Sequence, residues 1–125
     1  MADGYYEWQK AEGGTKQPYY IRLEGGGPFA FAGLWERWDK EGGPIESCTL
    51  LTTEPNELSG AIHDRMPVIL ARSDHALWLD PAVGEAERLK PLLVPYRAGP
   101  MEAWPVSRLV NSPANDSPRC VEPVA

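Results

Sequence analysis

The sequence predicts an α+β fold dominated by short strands, on three observations. Thirteen Pro and twelve Gly make up one-fifth of the 125 residues, a composition that favours turns and short elements over long helices. Runs rich in Tyr, Trp, Ile and Thr alternate with those turn residues, as half-buried strands do. Helical signals are confined to brief stretches with a capping residue in front and a Pro behind.

Taken in order, Ala2-Asp3-Gly4 reads as a turn that opens an aromatic strand near 4–9. Its period of two sets Tyr5 and Glu7 on one face and Tyr6 and Trp8 on the other. Further strands are expected near 18–23, 29–36 and 47–53. Gly25-Gly26-Gly27 precedes Pro28 and a strand, so it is a hairpin loop and no phosphate cradle. Gly42-Gly43-Pro44 reads as another loop. Asn56 starts a short helix through Ile62, and a strand follows at 66–70, where Pro67 holds Met66 extended. Ser73 or Asp74 caps a helix carrying Ala76, Leu77, Trp78 and Leu79 that ends at Asp80-Pro81. Another helix spans 84–90 with Leu89 inward and is stopped by Pro91. A last strand at 102–107 leads into a tail, so the chain divides into one domain at 1–110 and a Pro-rich, poorly ordered segment at 111–125.

Apolar residues at 42% suffice for one small core, and 125 residues fit one domain. Trp35 and Trp38 are expected to fill that core or shield a sheet, with some of these rings facing solvent where partner strands should lie if an N-terminal section is missing. Cys48, in a strand, is expected to be buried as a small apolar group, and Cys120, in the tail, to be exposed. The net charge of −6 argues against a grip on nucleic acid by bulk electrostatics and leaves room for a local basic groove, with Arg65 and Arg108 as its candidates. The two Cys and two His have no zinc spacing, so no metal and no other cofactor is expected. The start lacks a basic segment followed by an apolar one, and no run approaches the ~20 apolar residues of a membrane span. A cytoplasmic setting with reduced thiols and no membrane partner is the expectation.

Chemistry concentrates in Ile-His-Asp-Arg-Met-Pro-Val-Ile-Leu, residues 62–70. His63 can exchange a proton near neutral pH, and the planar fork of Arg65 can hold a phosphate or carboxylate. Glu7, flanked by large rings, is the candidate carboxylate for acid–base work. Each of these residues, taken alone, is equally at home on a solvated surface.

ADGYYEW (2–8), KQPYYI (16–21), FAGLWERW (31–38), ESCTLLTTEPNE (46–57), IHDRMPVIL (62–70) and PVSRLVN (105–111) resemble, in that order, blocks of the SRAP family. These are the SOS-response-associated peptidases, or abasic-site processing proteins. The resemblance covers nearly the whole chain and implies a strand-rich, barrel-like mixed fold. It implies proteins that bind single-stranded DNA and couple an N-terminal Cys to the ring-opened aldehyde of an abasic site. The α-amine forms a Schiff base and the thiol closes a thiazolidine, which shields the lesion. Glu7 is similar to the family's acid–base glutamate and His63 to the histidine that helps open the sugar and reverse the crosslink. Arg65 is similar to a phosphate-contacting arginine, and Trp8 to an aromatic beside the lesion pocket, where stacking tolerates any base.

That family begins Met-Cys-Gly-Arg, and removal of Met exposes the nucleophile, a single-turnover self-cleavage. Here Ala2 follows Met1, so the resemblance implies a C-terminal portion without the Cys segment. The α-amines of Cys48 and Cys120 are tied up in peptide bonds, and neither can close a thiazolidine. A Met1 or Ala2 amine would give at most a reversible Schiff base. The chain as it stands is expected to be catalytically incomplete. Its expected partners are DNA with abasic sites, a separate N-terminal segment, and other copies through exposed strand edges. Two other readings stand beside this one. One is a non-catalytic remnant or single-stranded DNA-binding module. The other is a β-rich sugar- or peptide-binding module, which calls for Trp35 and Trp38 exposed in a row with Glu7, His63 and Arg65 far apart.

Overall fold

The computed structural model describes residues 1–11 and 13–124. The chain runs through β1 (Tyr5–Lys10), β2 (Lys16–Leu23), β3 (Ala30–Phe31), β4 (Gly33–Lys40), β5 (Gly43–Leu50), β6 (Thr52–Thr53), α1 (Glu57–Gly60), β7 (Met66–Pro67), β8 (Ile69–Leu70), α2 (His75–Leu79), α3 (Ala86–Leu89) and β9 (Met101–Pro105). It is a strand-rich α+β fold with short helices. The largest sheet has the antiparallel order β1-β2-β9, and the other strands pair two by two, with no closed barrel among the described residues.

Alternation along the three-stranded sheet divides its faces. Tyr5, Ile21 and Ala103 stand in register on one side, where Ile21 and Met101 join Phe29, Ile62, Met66 and Ile69 in the main core. Tyr6, Tyr20 and Trp104 stand in register on the other, with neighbouring rings 5.4 Å apart. Residues beyond 111 return over this aromatic face. The indole of Trp104 donates to the Val121 carbonyl at 2.8 Å, and the Val124 amide donates to Pro105 at 2.9 Å. Cys120 is buried there, contrary to the expectation of an exposed thiol, because the returning segment folds over it, and its thiol donates to the Asn115 carbonyl at 3.6 Å.

Three of the expected strands are each broken at one residue, and the breaks share a cause. The Ala32 amide donates to Val68, the Val68 amide to Leu51, and the Leu51 amide to Ala32, each at 2.9 Å. At this buried triangle each segment changes partner. Residues 30–31 pair with β8 and 33–40 with β5, while 52–53 pair with β7. The strand expected at 29–36 thus becomes β3 and β4, that at 47–53 becomes β5 and β6, and that at 66–70 becomes β7 and β8.

The β4–β5 ribbon departs most from expectation. It turns over Gly42 and Gly43, both at positive φ, where glycine is the residue without a steric penalty. Among the described residues neither face of the ribbon is covered by another element, so Trp35 is 73% and Trp38 58% exposed, and Leu34, Ile45 and Leu50 are also exposed. Neither Trp fills a core or shields a sheet. Cys48, expected inside, lies opposite Trp35 on the same ribbon and is exposed for the same reason.

Candidate functional site

The site is assembled where the edge strand β1 meets the turn after α1. Asn56 caps α1 in both senses. Its side-chain oxygen accepts from the Ser59 amide at 2.9 Å, and its own amide donates to the Ser59 hydroxyl at 3.2 Å. The Ser59 carbonyl then accepts the amides of both Ile62 and His63, so the helix ends at Gly60 and the chain folds back sharply. Gln9 fastens the turn to β1 by donating to the Ala61 carbonyl at 2.7 Å. Residues far apart in sequence are thereby brought to one edge of the sheet.

Nδ1 of His63 lies 3.8 Å from Oε2 of Glu7 and 3.2 Å from Oδ1 of Asp64. The Arg65 amide and carbonyl both lie within reach of that same nitrogen, at 3.2 and 3.3 Å, so either neutral tautomer finds a partner there. Protonation at Nδ1 would turn the N–H toward two carboxylates. The other oxygen of Glu7 accepts the Trp8 amide at 2.9 Å, which fixes the carboxylate's rotation. Both side chains are half-buried, with His63 40% and Glu7 24% exposed, so the pair is open to a substrate without being fully solvated.

Trp8, on the opposite face of β1 from Glu7, donates its indole N–H to Asn111 at 2.8 Å. With Lys10, Ile62, His63 and Asp64 it lines a cleft of about 390 Å³. Arg65 points the other way from the imidazole. One terminal nitrogen donates to both the carbonyl and the hydroxyl of Thr52, at 3.0 and 2.9 Å. The rest of its fork has no protein partner among the described residues, leaving donors for an anion. A second cleft of about 470 Å³, lined by Pro55, Asn56, Tyr96 and Arg97, holds none of Glu7, Trp8, His63 and Arg65.

Of the four sequence-derived candidates, Glu7 and His63 meet, close enough to share a proton through a small shift or one water, and Trp8 lines a cleft with His63, while Arg65 is turned away toward Thr52. Arg108 opens a 3-10 turn and is exposed. Gln9, Thr52 and Asn111, which hold the turn, the guanidinium and the indole, were not singled out in the sequence. Their signal was faint, since Thr52 and Asn111 lie in blocks read for their order and not residue by residue. Among the described residues no group of three His, Cys, Asp or Glu side chains is arranged to hold a metal. No helix among them is long and apolar enough to cross a membrane.

A strand-rich α+β framework that brings a glutamate and a histidine together at the edge of its largest sheet narrows the class of protein. The family model for SOS response associated peptidase (SRAP) matches residues 1–113. The chain belongs to the SRAP family. It is 50% identical over 122 residues to the abasic site processing protein YoqW of Bacillus subtilis, covering 97% of this chain and 54% of that one. It is 35% identical to the abasic site processing protein HMCES of Gallus gallus, covering 99% of this chain and 42% of that one. A crystal structure of a Bacteroides thetaiotaomicron protein superposes with a TM-score of 0.86 at 33% identity, over 99% of this chain and 55% of the other. The chain spans about half the length of the curated relatives it matches.

Proposed function

We propose that this chain supplies the acid–base and phosphate-contacting half of an SRAP-type abasic-site processing protein, acting on single-stranded DNA. The observation that carries the reading is the 3.8 Å approach of Glu7 to His63, with Trp8 lining the cleft beside His63, in a chain half identical to a protein named for abasic-site processing. In this reading Trp8 stacks at the gap left by the missing base, and the free donors of Arg65 hold the neighbouring phosphate.

The covalent step needs an amine and a thiol on one residue, and Cys48 and Cys120 are both internal. The nucleophilic Cys therefore comes from residues outside these 125, in a longer polypeptide or a second chain. His63 assists opening of the abasic sugar to its aldehyde. The Cys amine adds to that carbon, and Glu7 delivers the proton with which the hydroxyl leaves as water, giving the Schiff base. The thiol then gives its proton back to the Glu7 carboxylate as its sulfur adds to the same carbon of the protonated Schiff base, the C=N π pair becomes the nitrogen lone pair, and the thiazolidine closes. The setting is DNA repair in the cytosol, and the peptidase activity is release of the initiator Met that exposes the Cys.

The sugar- or peptide-binding alternative is not favoured. Trp35 and Trp38 sit three residues apart on one strand and so face opposite sides of the ribbon, while Glu7 and His63 are together. The non-catalytic alternative is separated by experiment. A single-stranded oligonucleotide with one abasic site is incubated with the protein and resolved on a denaturing gel, with and without borohydride. The expected result is no band for the chain alone and a reductant-independent band when an N-terminal Cys segment is joined to it. A stable band from the chain alone, or none from the joined protein, overturns the proposal.

A further inference from the structure

We propose that the cleft at the far end of the largest sheet from Glu7 and His63 is a second ligand site, which takes the phosphate and the ring of a nucleotide. Glu7 stands opposite Tyr19 on β2. The cleft opens at Leu23, four residues further along that strand, about 13 Å by the rise of a β-strand. It is therefore separate from the Glu7–His63 pair and shares no residue with the cleft that His63 lines.

The cleft has a volume of about 380 Å³, within the range of small-molecule sites. Arg72, His75 and Arg97 line it, and among the described residues Glu24 is the one carboxylate in its wall. Both arginines are exposed, and neither guanidinium has a hydrogen-bond or ion-pair partner among the described residues. Arg22, just before the cleft, is by contrast spent on Glu102 at 2.7 Å. Asp74 lies in the adjoining cleft that Arg97 also lines, and its carboxylate accepts the Ser73 hydroxyl at 3.2 Å. Two unspent guanidinium groups at one concavity, in a chain of net charge −6, gather a local positive potential that draws an anion.

The walls are fixed before any ligand arrives. The Glu24 amide donates to the Pro100 carbonyl at 2.9 Å, and Phe29 and Ala2 exchange backbone bonds at 2.8 and 2.9 Å. Asn56 Nδ2 donates to the Tyr96 carbonyl at 2.6 Å, and His75 Nε2 lies 3.3 Å from the Leu70 carbonyl. A frame tied in this way loses little freedom on binding. Its shape selects among anions. Tyr96 packs against the main core yet stays partly exposed where it lines the cleft with Pro28, a flat wall on which a base can stack. The planar forks of Arg72 and Arg97 match phosphate oxygens. A phosphate joined to a flat ring is satisfied by both walls, whether it comes as a free nucleotide or as one unit of a DNA strand.

The test titrates the full chain with adenosine monophosphate and follows its backbone amides by NMR. The same titration is run with inorganic phosphate and with a single-stranded oligonucleotide that has no abasic site. We expect saturable shifts at Leu70–His75 and at Tyr96 and Arg97, with Glu7 and His63 undisturbed. Inorganic phosphate should bind the same residues about tenfold or more weakly, because it lacks the stacked ring. Arg72→Ala and Arg97→Ala should each weaken adenosine monophosphate about tenfold or more, as for lost charge-assisted bonds, and Arg97→Glu should abolish binding. Melting of these variants should match the parent, since neither side chain is bonded to the protein. No saturable shift at millimolar ligand, shifts confined to the cleft of His63, or substitutions without effect overturn the proposal. So does phosphate binding as tightly as the nucleotide, because the ring then contributes nothing. Displacement of adenosine monophosphate by the oligonucleotide supports the site with a DNA strand as its source. Binding that the oligonucleotide leaves untouched supports it with a free nucleotide as its ligand.

Discussion

His63 Nδ1 stands 3.8 Å from Glu7 Oε2, across 56 residues of sequence, because a capped turn of helix and one glutamine side chain bring their segments together. The pair is partly exposed, so its mutual attraction adds little to stability, of the order of 0–1 kcal/mol. Glu7→Gln and His63→Ala are therefore expected to melt within a few degrees of the parent. In the protein joined to an N-terminal Cys segment, Glu7→Gln should slow crosslink formation and His63→Ala should slow both sugar opening and reversal. Crosslinking time courses and release into excess DNA measure these separately. A loss of several kcal/mol in either variant would make the residues structural polar groups instead.

Thr52 is expected to matter for DNA binding without touching DNA. Its hydroxyl and carbonyl occupy one guanidinium nitrogen of Arg65, which aims the remaining donors. Thr52→Val keeps the shape and removes the hydroxyl, so affinity for single-stranded DNA should fall by about 1 kcal/mol, the net worth of one such bond. Arg65→Lys should fall further, because an ammonium cannot hold Thr52 and a phosphate at once with a planar fork. Fluorescence anisotropy with a labelled oligonucleotide reads both, and equal affinity for Thr52→Val and parent would remove Thr52 from this role.

What was legible in the sequence was local. The aromatic alternation of β1, the Asn56 cap and the stop at Pro81 depend on neighbours within a few residues, and these elements formed where expected. Pro91, in contrast, does not end the helical stretch but sits in a 3-10 turn, Lys90–Leu92, that follows α3. The breaks at Ala32, Leu51 and Val68 were not legible, since each arises from a change of partner 17 to 36 residues away. Burial failed for a related reason. Trp35, Trp38 and Cys48 have strand-like, apolar surroundings in sequence, but exposure depends on what covers the ribbon. The Glu7–His63 pairing has no periodic signal at all. It was reachable only through the ordered blocks of the family, and the supports Gln9, Thr52 and Asn111 needed coordinates.

Gly4 marks a close approach that predicts a large effect from a small change. A Cβ built there would overlap the Tyr20 ring, which is itself held between the rings of Tyr6 and Trp104. Those two rings limit how far the Tyr20 ring can shift. Gly4→Ala should cost about 1–3 kcal/mol, the range for overpacking a filled site, seen as a lowered midpoint in thermal or urea unfolding. Pairing it with Tyr20→Leu should recover part of the loss. Strict additivity of the two changes would mean that the ring and the glycine are not coupled.

Tyr5 makes the stability depend on alkaline pH. Burial pushes its phenol far above the ordinary value of 10.0, and the nearby Glu7 carboxylate adds to the effect. Its hydroxyl is buried and has no hydrogen-bond partner among the described residues. The folded chain thus holds this proton more tightly than the unfolded chain does. Below pH 10 both states are protonated and the group's contribution is constant. Above it the unfolded chain ionises first, and stability falls by up to about 1.4 kcal/mol per pH unit for this one group. Burial also raises Tyr6 and Tyr20, so the alkaline limb is shared. Tyr5→Phe should make that limb shallower by about one proton. At neutral pH it should be neutral or stabilising by up to about 1 kcal/mol, since no bond is lost. Urea unfolding at pH 7, 9, 10 and 11 measures both effects. A limb as steep as the parent's would show that Tyr5 ionises in the folded chain as easily as in the unfolded one.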